Sequence, residues 1–119
     1  MTLKRKKLGS SGEEIAADYL ASKNYKIIDR NVKFKYGEID IIAEDGDYIV
    51  IVEVKTKTIF NQGTPEEMVN YFKKQKLRLL AKAVSQLYPA KHIRIDVVGI
   101  DQSKDTPSVN HLINAVEDL

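Results

Sequence analysis

The sequence predicts an α/β fold in which a mixed β-sheet is flanked by helices. A helical pattern opens the chain, three short apolar runs follow, and a long amphipathic segment separates the third run from a fourth. A helix between two strands supplies the crossover that parallel strands need, whereas a two-residue turn signal joins the second and third runs as a hairpin. The predicted order is therefore α-β-β-β-α-β plus a terminal element.

Length and composition indicate one globular domain over residues 1–119. Of these residues, 43% are hydrophobic and 30% are charged, and no apolar run is long enough to span a membrane. Residues 1–9 are basic and are predicted as a flexible N-terminus; because no apolar run follows them, we expect a cytoplasmic protein without a membrane partner. The chain has no cysteine, so a bound metal would need oxygen or imidazole ligands.

The first helix is predicted to begin at Ser10 or Ser11, because each serine has a glutamate three residues later, as in a capping box. It should end near Ser22. Its apolar residues recur at helical spacing: Ile15, Ala16, Tyr19 and Leu20.

Three strands are predicted next, over residues 26–33, 38–44 and 48–55. Asp45-Gly46 is a strong signal for a two-residue hairpin turn between the second and the third. Residues 49–52 are apolar without interruption, which is typical of a central strand that is covered on both faces.

A second helix should begin at Thr64, which Pro65 and Glu67 follow in the first turn, and should run to about Tyr88 before Pro89. Its predicted buried stripe is Val69, Phe72, Leu80, Ala83, Val84 and Leu87. A fourth strand over residues 93–100 and a polar loop come next. Residues 109–116 fit either a short edge strand or a helix.

Two acidic residues stand at the ends of the second and third apolar runs, where a charge is costly unless it has a partner or a function. These are Asp40 and Glu53, and Lys55 follows on the same strand face as Glu53. If Asp45-Gly46 is the turn, Asp40 lies opposite Ile51 and diagonal to Glu53, close enough for both carboxylates to bind one ion. The rival interpretation is that Glu53 and Lys55 only mark where a buried strand reaches solvent.

Phosphodiester hydrolysis explains this combination of residue types. A Mg²⁺ or Mn²⁺ ion held by Asp40 and Glu53 could neutralise a phosphate and activate water, with the backbone carbonyl of Val54 as a further ligand. Lys55 could orient the water or stabilise charge on the phosphate. The sequence therefore predicts a metal-dependent nuclease site.

Three motifs resemble the bacterial YraN family: residues 37–43, residues 52–57 and residues 94–98. Residues 12–20 and Arg30-Asn31 match the N-terminal part of the same family, so the resemblance spans nearly the whole chain. This family is similar to the restriction-endonuclease-like superfamily, especially to archaeal Holliday-junction resolvases. The resemblance implies a restriction-endonuclease-like core that acts on DNA, including branched or structured DNA.

The resemblance also assigns residues. It implies that Glu13 is an acid of the site, although Glu13 equally fits a capping role with Ser10. It implies that Lys73 in the long helix reaches a phosphate, and it makes a homodimer possible because the junction resolvases are two-fold dimers.

Basic residues supply the remaining predicted contacts. Lys73, Lys76 and Lys57 are the expected nucleic-acid-binding residues, with DNA preferred over RNA, although lysine-rich helix faces are also ordinary solvated surface. Asp96 could support the site or pair with Arg94. His92 and His111 lack metal-ligand spacing and receive no role. Two other functional classes fit the same residues: a nucleic-acid-binding module without catalysis, and a structural domain whose acids form ion pairs.

Overall fold

The computed structural model describes the backbone of residues 2–57 and 71–116 and the side chains of residues 12–57 and 73–116. Within these ranges two helices and five strands follow one another along the chain: α1 Thr2–Ser22, β1 Lys26–Phe34, β2 Gly37–Asp45, β3 Tyr48–Lys57, α2 Tyr71–Leu87, β4 His92–Asp101 and β5 Ser108–Leu112. The predicted element order is confirmed, and the terminal element is the strand β5.

The five strands form one mixed sheet in the order β1-β2-β3-β4-β5. Only β3 and β4 pair in parallel, and α2 lies between them in the chain, as a crossover helix must. This α/β architecture with flanking helices confirms the predicted fold class and is consistent with a restriction-endonuclease-like core. No helix in the described ranges is both long and apolar enough to cross a bilayer.

The sheet separates two hydrophobic clusters, one under each helix. Strand β3 contributes to both: Ile49 and Ile51 pack beneath α2, whereas Val50 and Val52 pack beneath α1. All four side chains are buried, so the predicted central strand is confirmed. Burial of β-branched side chains on both faces makes β3 a rigid support for the residues that follow Val52 on the same strand.

Helix α1 begins earlier than predicted. It starts at Thr2, so Ser10 and Ser11 lie inside the helix and neither serine caps its N-terminus. Residues 2–9, expected as a flexible extension, are helical here. The predicted apolar face is correct, because Ala16 and Leu20 are fully buried.

Helix α2 is described from Tyr71, so the predicted start at Thr64 and the stripe residue Val69 lie outside the described residues, as does the side chain of Phe72. Leu80 and Val84 are buried as predicted, together with Leu77 and Ala81. Leu87 was predicted to be buried but is 62% exposed, since Tyr88 packs against the cluster in its place.

The β2–β3 turn differs from the prediction by one residue. Asp45 pairs with Tyr48, so the two turn residues are Gly46 and Asp47. Gly46, the first turn position, has a φ of 59°, a value that favours glycine. The whole ladder therefore shifts by two residues relative to the predicted register, which leaves every side chain on its predicted face.

Candidate functional site

Asp40 lies where strands β2 and β3 separate. The last pair of their ladder is Ile41–Val52. Asp40 precedes Ile41 in β2 and Glu53 follows Val52 in β3, so both lie one residue beyond that pair. The predicted position of Asp40 opposite Ile51 is thus wrong, because the turn shifts the register. The Val54 backbone N–H donates to Asp40 Oδ2 at 2.8 Å. The Asp40 carboxylate thus accepts a hydrogen bond from a backbone group that has no partner in the β2–β3 ladder. This bond fixes the carboxylate between the two strands.

Glu53 is the only glutamate in the described residues that is buried, with 5% of its surface exposed. Its Oε1 lies 3.1 Å from Lys73 Nζ and 3.5 Å from Lys55 Nζ. Lys55 therefore shares the face of Glu53, as strand alternation predicts, and Lys73 reaches the same carboxylate from α2. A buried carboxylate between two ammonium groups is electrostatically compensated, which explains how the fold tolerates it.

Glu13 approaches from α1, on the other side of the sheet. The preceding residue, Gly12, lies so close to β3 that a Cβ there would collide with Thr56 Oγ1. The absence of a side chain at Gly12 thus allows α1 to pack directly on β3. Its neighbour Glu14 forms a 2.6 Å ion pair with Arg30 and is not a cap.

The charges of Glu53 and Glu13 both act on the Asp40 carboxylate. Burial, and then the negative charge of Glu53, raise the pKa of Asp40 to about 6. The Val54 N–H opposes this increase, Glu13 adds to it, and Lys73 opposes it. Asp40 therefore lies within the electrostatic influence of the two other acids predicted for the site, and their roles stay predictions.

The donor chemistry suits a hard divalent cation, although a complete cage is absent. Within residues 12–57 and 73–116, no group of three His, Cys, Asp or Glu side chains is arranged to hold a metal. Magnesium often uses only one or two protein carboxylates and fills its shell with water and phosphate. Asp40 and Glu53 are carboxylates of this kind, but Glu53 is paired with Lys55 and Lys73 in this structure, so their role as metal ligands stays a prediction. The role of the Val54 carbonyl as a ligand stays a prediction.

The predicted nucleic-acid contacts lie at one end of the sheet. The β1–β2 turn and the ends of β3 and β4 share that end, because β2 is antiparallel and β4 parallel to β3. Lys73 contacts Glu53, and the side chain of Lys76 lies against Gly37 at the start of β2. Lys57 is 3.9 Å from Asp101, so its charge is partly balanced.

A second polar cluster was not predicted from the sequence. Asp96 is fully buried beneath α1 and accepts hydrogen bonds from Arg94 Nε at 2.9 Å and from Tyr25 Oη at 3.2 Å. His111 Nε2 lies 2.7 Å from the same carboxylate, and the Asn114 backbone N–H donates to it at 3.0 Å. His111, which was given no role, therefore links β5 to the sheet.

These contacts determine the ionisation of the cluster. Burial raises the pKa of Asp96, but hydrogen bonds from His111 and Arg94 outweigh burial and hold that pKa below its usual range. Burial and the charge of Asp96 raise the pKa of Tyr25 to about 12. Of the two roles considered for Asp96, the pairing with Arg94 is the one observed. The alternation Arg94-x-Asp96 signalled this pair, whereas nothing in the sequence linked it to Tyr25 or His111.

Comparison with known proteins gives the family. The family model described as Uncharacterised protein family UPF0102 matches residues 12–100. The chain is 46% identical over 112 residues to the UPF0102 protein THEYE_A1950 of Thermodesulfovibrio yellowstonii, covering 93% of this chain and 96% of the relative. It is 41% identical over 116 residues to the UPF0102 protein TTE1452 of Caldanaerobacter subterraneus, covering 93% and 95%. The resemblance noted in the sequence is confirmed, and the chain belongs to Uncharacterised protein family UPF0102, the YraN family.

Proposed function

We propose that this protein is a metal-dependent nuclease that hydrolyses phosphodiester bonds of DNA. One observation carries the proposal: Asp40 is held by the Val54 N–H in the gap between β2 and β3, within the electrostatic influence of Glu53 and Glu13. Burial, and then the neighbouring acids, disfavour the ionised form of Asp40, a cost that a purely structural role does not require. A divalent cation would relieve it.

Asp40 and Glu53 are the residues that would hold the ion, with the Val54 carbonyl as a further oxygen. When bound, a Mg²⁺ or Mn²⁺ ion supplies Lewis acidity that neutralises phosphate charge and makes water more acidic. Glu13 would accept a hydrogen bond from an attacking water and so orient it. Lys55, beside Glu53, would donate to a phosphate oxygen as charge develops there.

Lys73 gives the site a second function in substrate binding. Its ammonium lies 3.1 Å from Glu53, and it belongs to the first described turn of α2. A cation bound between the acids would compensate Glu53 and release Lys73 to contact the phosphate backbone. Substrate binding and cation binding would then support each other.

A cleavage assay tests the proposal. The purified protein would be incubated with labelled single-stranded, flapped, duplex and four-way-junction DNA, in Mg²⁺, in Mn²⁺ or in EDTA. We expect metal-dependent cleavage of at least one substrate and its loss in Asp40→Asn and Glu53→Gln. The matched control is Glu38→Gln, which removes the same charge from an exposed residue two positions before Asp40 on β2.

Absence of cleavage in every condition, or identical cleavage by the wild type and Asp40→Asn, would contradict the proposal. Calorimetric titration with Mn²⁺ adds an independent measurement, because Asp40→Asn should weaken cation binding whether or not the right substrate is present. Equal Mn²⁺ affinity in both proteins would place the cation elsewhere.

One observation favours a second candidate, a nucleic-acid-binding module without catalysis. Lys73 and Lys55 already balance Glu53 in the absence of metal. This candidate expects DNA binding that weakens with salt, needs no divalent ion and survives Glu53→Gln. Fluorescence anisotropy in EDTA, compared with the cleavage assay, separates the two candidates.

A further inference from the structure

The β1–β2 turn carries an aromatic side chain in an exposed position. Tyr36 lies at the tip of this hairpin and is 48% exposed. Lys35 Nζ lies 5.8 Å from the centre of its ring. Among the described residues, no second cation and no aromatic ring packs on Tyr36, and about half of its side chain is accessible.

A comparison with Tyr48 shows that an exposed tyrosine is not always available for stacking. Tyr48 is 40% exposed, but the guanidinium of Arg94 lies 5.1 Å from its ring centre and the ring of His92 lies at 5.6 Å. Both neighbours occupy space that a stacking ligand would need. Tyr48 is the first residue of β3, five residues before Glu53, which makes it a matched control for Tyr36.

The position of Tyr36 relative to the acids is set by the strand that follows it. Strand β2 begins at Gly37 and reaches Asp40 three residues later, a distance of about 10 Å along an extended strand. The tip and the candidate metal centre therefore share one end of the sheet. A strand whose backbone passes Asp40 could place a neighbouring base on Tyr36.

Cationic groups accompany the aromatic ring. Gly37 has a φ of 146°, which disfavours other residues, and a Cβ there would collide with the side chain of Lys76. The turn thus brings Lys76 from α2 against Gly37, the residue that follows Tyr36. Lys33, two residues before Lys35, lies opposite the acidic Glu38 in the β1–β2 ladder. Lys35 and Lys76 are the cations able to contact phosphates around Tyr36.

An exposed ring between cations is suited to nucleic acid with unpaired bases. The bases of a duplex stack on one another and cover their own faces, whereas unpaired bases stack on protein aromatic rings with little sequence preference. We propose that Tyr36, with Lys35 and Lys76, forms a stacking site for an unpaired nucleotide next to the candidate metal centre. The site selects strands with single-stranded segments, such as flaps or open junctions. This inference rests on the proposed function for its substrate class.

Fluorescence anisotropy tests the stacking site without requiring cleavage. A fluorescein-labelled 20-nucleotide single strand and its duplex would be titrated in EDTA at one fixed salt concentration. We expect tighter binding to the single strand, a roughly tenfold weaker affinity for it in Tyr36→Ala, and an unchanged affinity for the duplex. Tyr36→Phe should retain the affinity because it keeps the ring, and Tyr48→Ala should behave as the wild type.

Equal losses in Tyr36→Ala and Tyr48→Ala, or a loss in Tyr36→Ala that is the same for both DNA forms, would overturn the stacking site. Cleavage assays separate this result from the proposed function. Metal-dependent cleavage with no dependence on Tyr36 overturns only the stacking site. Single-strand binding that depends on Tyr36, without any cleavage, supports the stacking site and overturns the nuclease.

Discussion

The backbone N–H of Val54 donates a 2.8 Å hydrogen bond to the Asp40 carboxylate, just beyond the last pair of the β2–β3 ladder. The Asp40 side chain thus accepts the hydrogen bond that a backbone carbonyl of β2 would accept if the ladder continued. The bond stabilises the charged form of Asp40, but burial and the charge of Glu53 outweigh it, because the pKa of Asp40 is raised. The site is therefore held in place at a cost in stability, and that cost can be measured.

Asp40→Asn should stabilise the metal-free protein at neutral pH. An acid whose pKa rises from 3.8 to about 6 on folding destabilises the folded state by about 3 kcal/mol above pH 6. That cost vanishes below the unfolded pKa, where both states are protonated. We expect a gain of about 1–3 kcal/mol at pH 8 and a smaller one at pH 5, from urea unfolding in EDTA.

The control for this experiment is Glu38→Gln, which should change stability little at either pH because Glu38 is exposed. A loss of stability in Asp40→Asn of the same size at pH 5 and pH 8 would contradict the prediction. It would show that the hydrogen bond from Val54 matters more than the charge.

Lys73→Gln should increase the affinity for divalent cations. Lys73 now compensates Glu53 at 3.1 Å, and an incoming cation must compete with that ammonium group. Removing the ammonium leaves Lys55 as the remaining ion-pair partner recorded for Glu53. We expect Mn²⁺ to bind severalfold more tightly by calorimetry. Lys76→Gln, on the same helix, is the control, and weaker binding in Lys73→Gln would disprove competition at Glu53.

Gly12→Ala should destabilise the protein. The new Cβ would collide with Thr56 Oγ1, so α1 or the Thr56 side chain must move. Overpacking of this kind costs about 1–3 kcal/mol. Thr56→Ala should restore most of the loss in the double variant, since it removes the colliding atom. Additive losses in a double-mutant cycle of unfolding free energies would rule out this contact as the cause.

Asp96→Asn should weaken the fold and alter its acid sensitivity. Removing the charge takes away one of the two carboxylate partners of the buried Arg94 and leaves Asp45, so the cost should stay below the ~3–5 kcal/mol of a buried charge that loses its whole pairing. The folded pKa of Asp96 is lowered, so the stability it contributes is present above the unfolded pKa and lost as the pH falls through the folded pKa. Thermal unfolding at pH 7 and pH 4 measures both effects.

In Asp96→Asn, the midpoint of thermal unfolding should fall strongly at pH 7. Its further decrease from pH 7 to pH 4 should be smaller than in the wild type. Asp47→Asn, at an exposed turn residue, is the control. A wild-type acid dependence in Asp96→Asn would assign the acid sensitivity to other carboxylates.

Local patterns in the sequence were sufficient for the order of the helices and strands, whereas the roles assigned to the site residues stay predictions. The apolar run 49–52 identified β3 as central, and strand alternation correctly put Lys55 on the same face as Glu53. These predictions succeeded because strand alternation and burial are properties of neighbouring residues. The turn was displaced by one residue because Gly46 fits either turn position, and the backbone pairing decides between them.

Only the tertiary structure decided which distant side chains share one location. Glu13 lies close enough to raise the pKa of Asp40 because Gly12 lets α1 pack against Thr56. No periodicity in the sequence of α1 predicts that contact. Likewise, Tyr25 and His111 meet at Asp96 although they lie 71 and 15 residues away from it in the chain. Such contacts depend on how helices dock and strands register, and docking and register are set by the packing of the whole core, which no single segment of sequence contains.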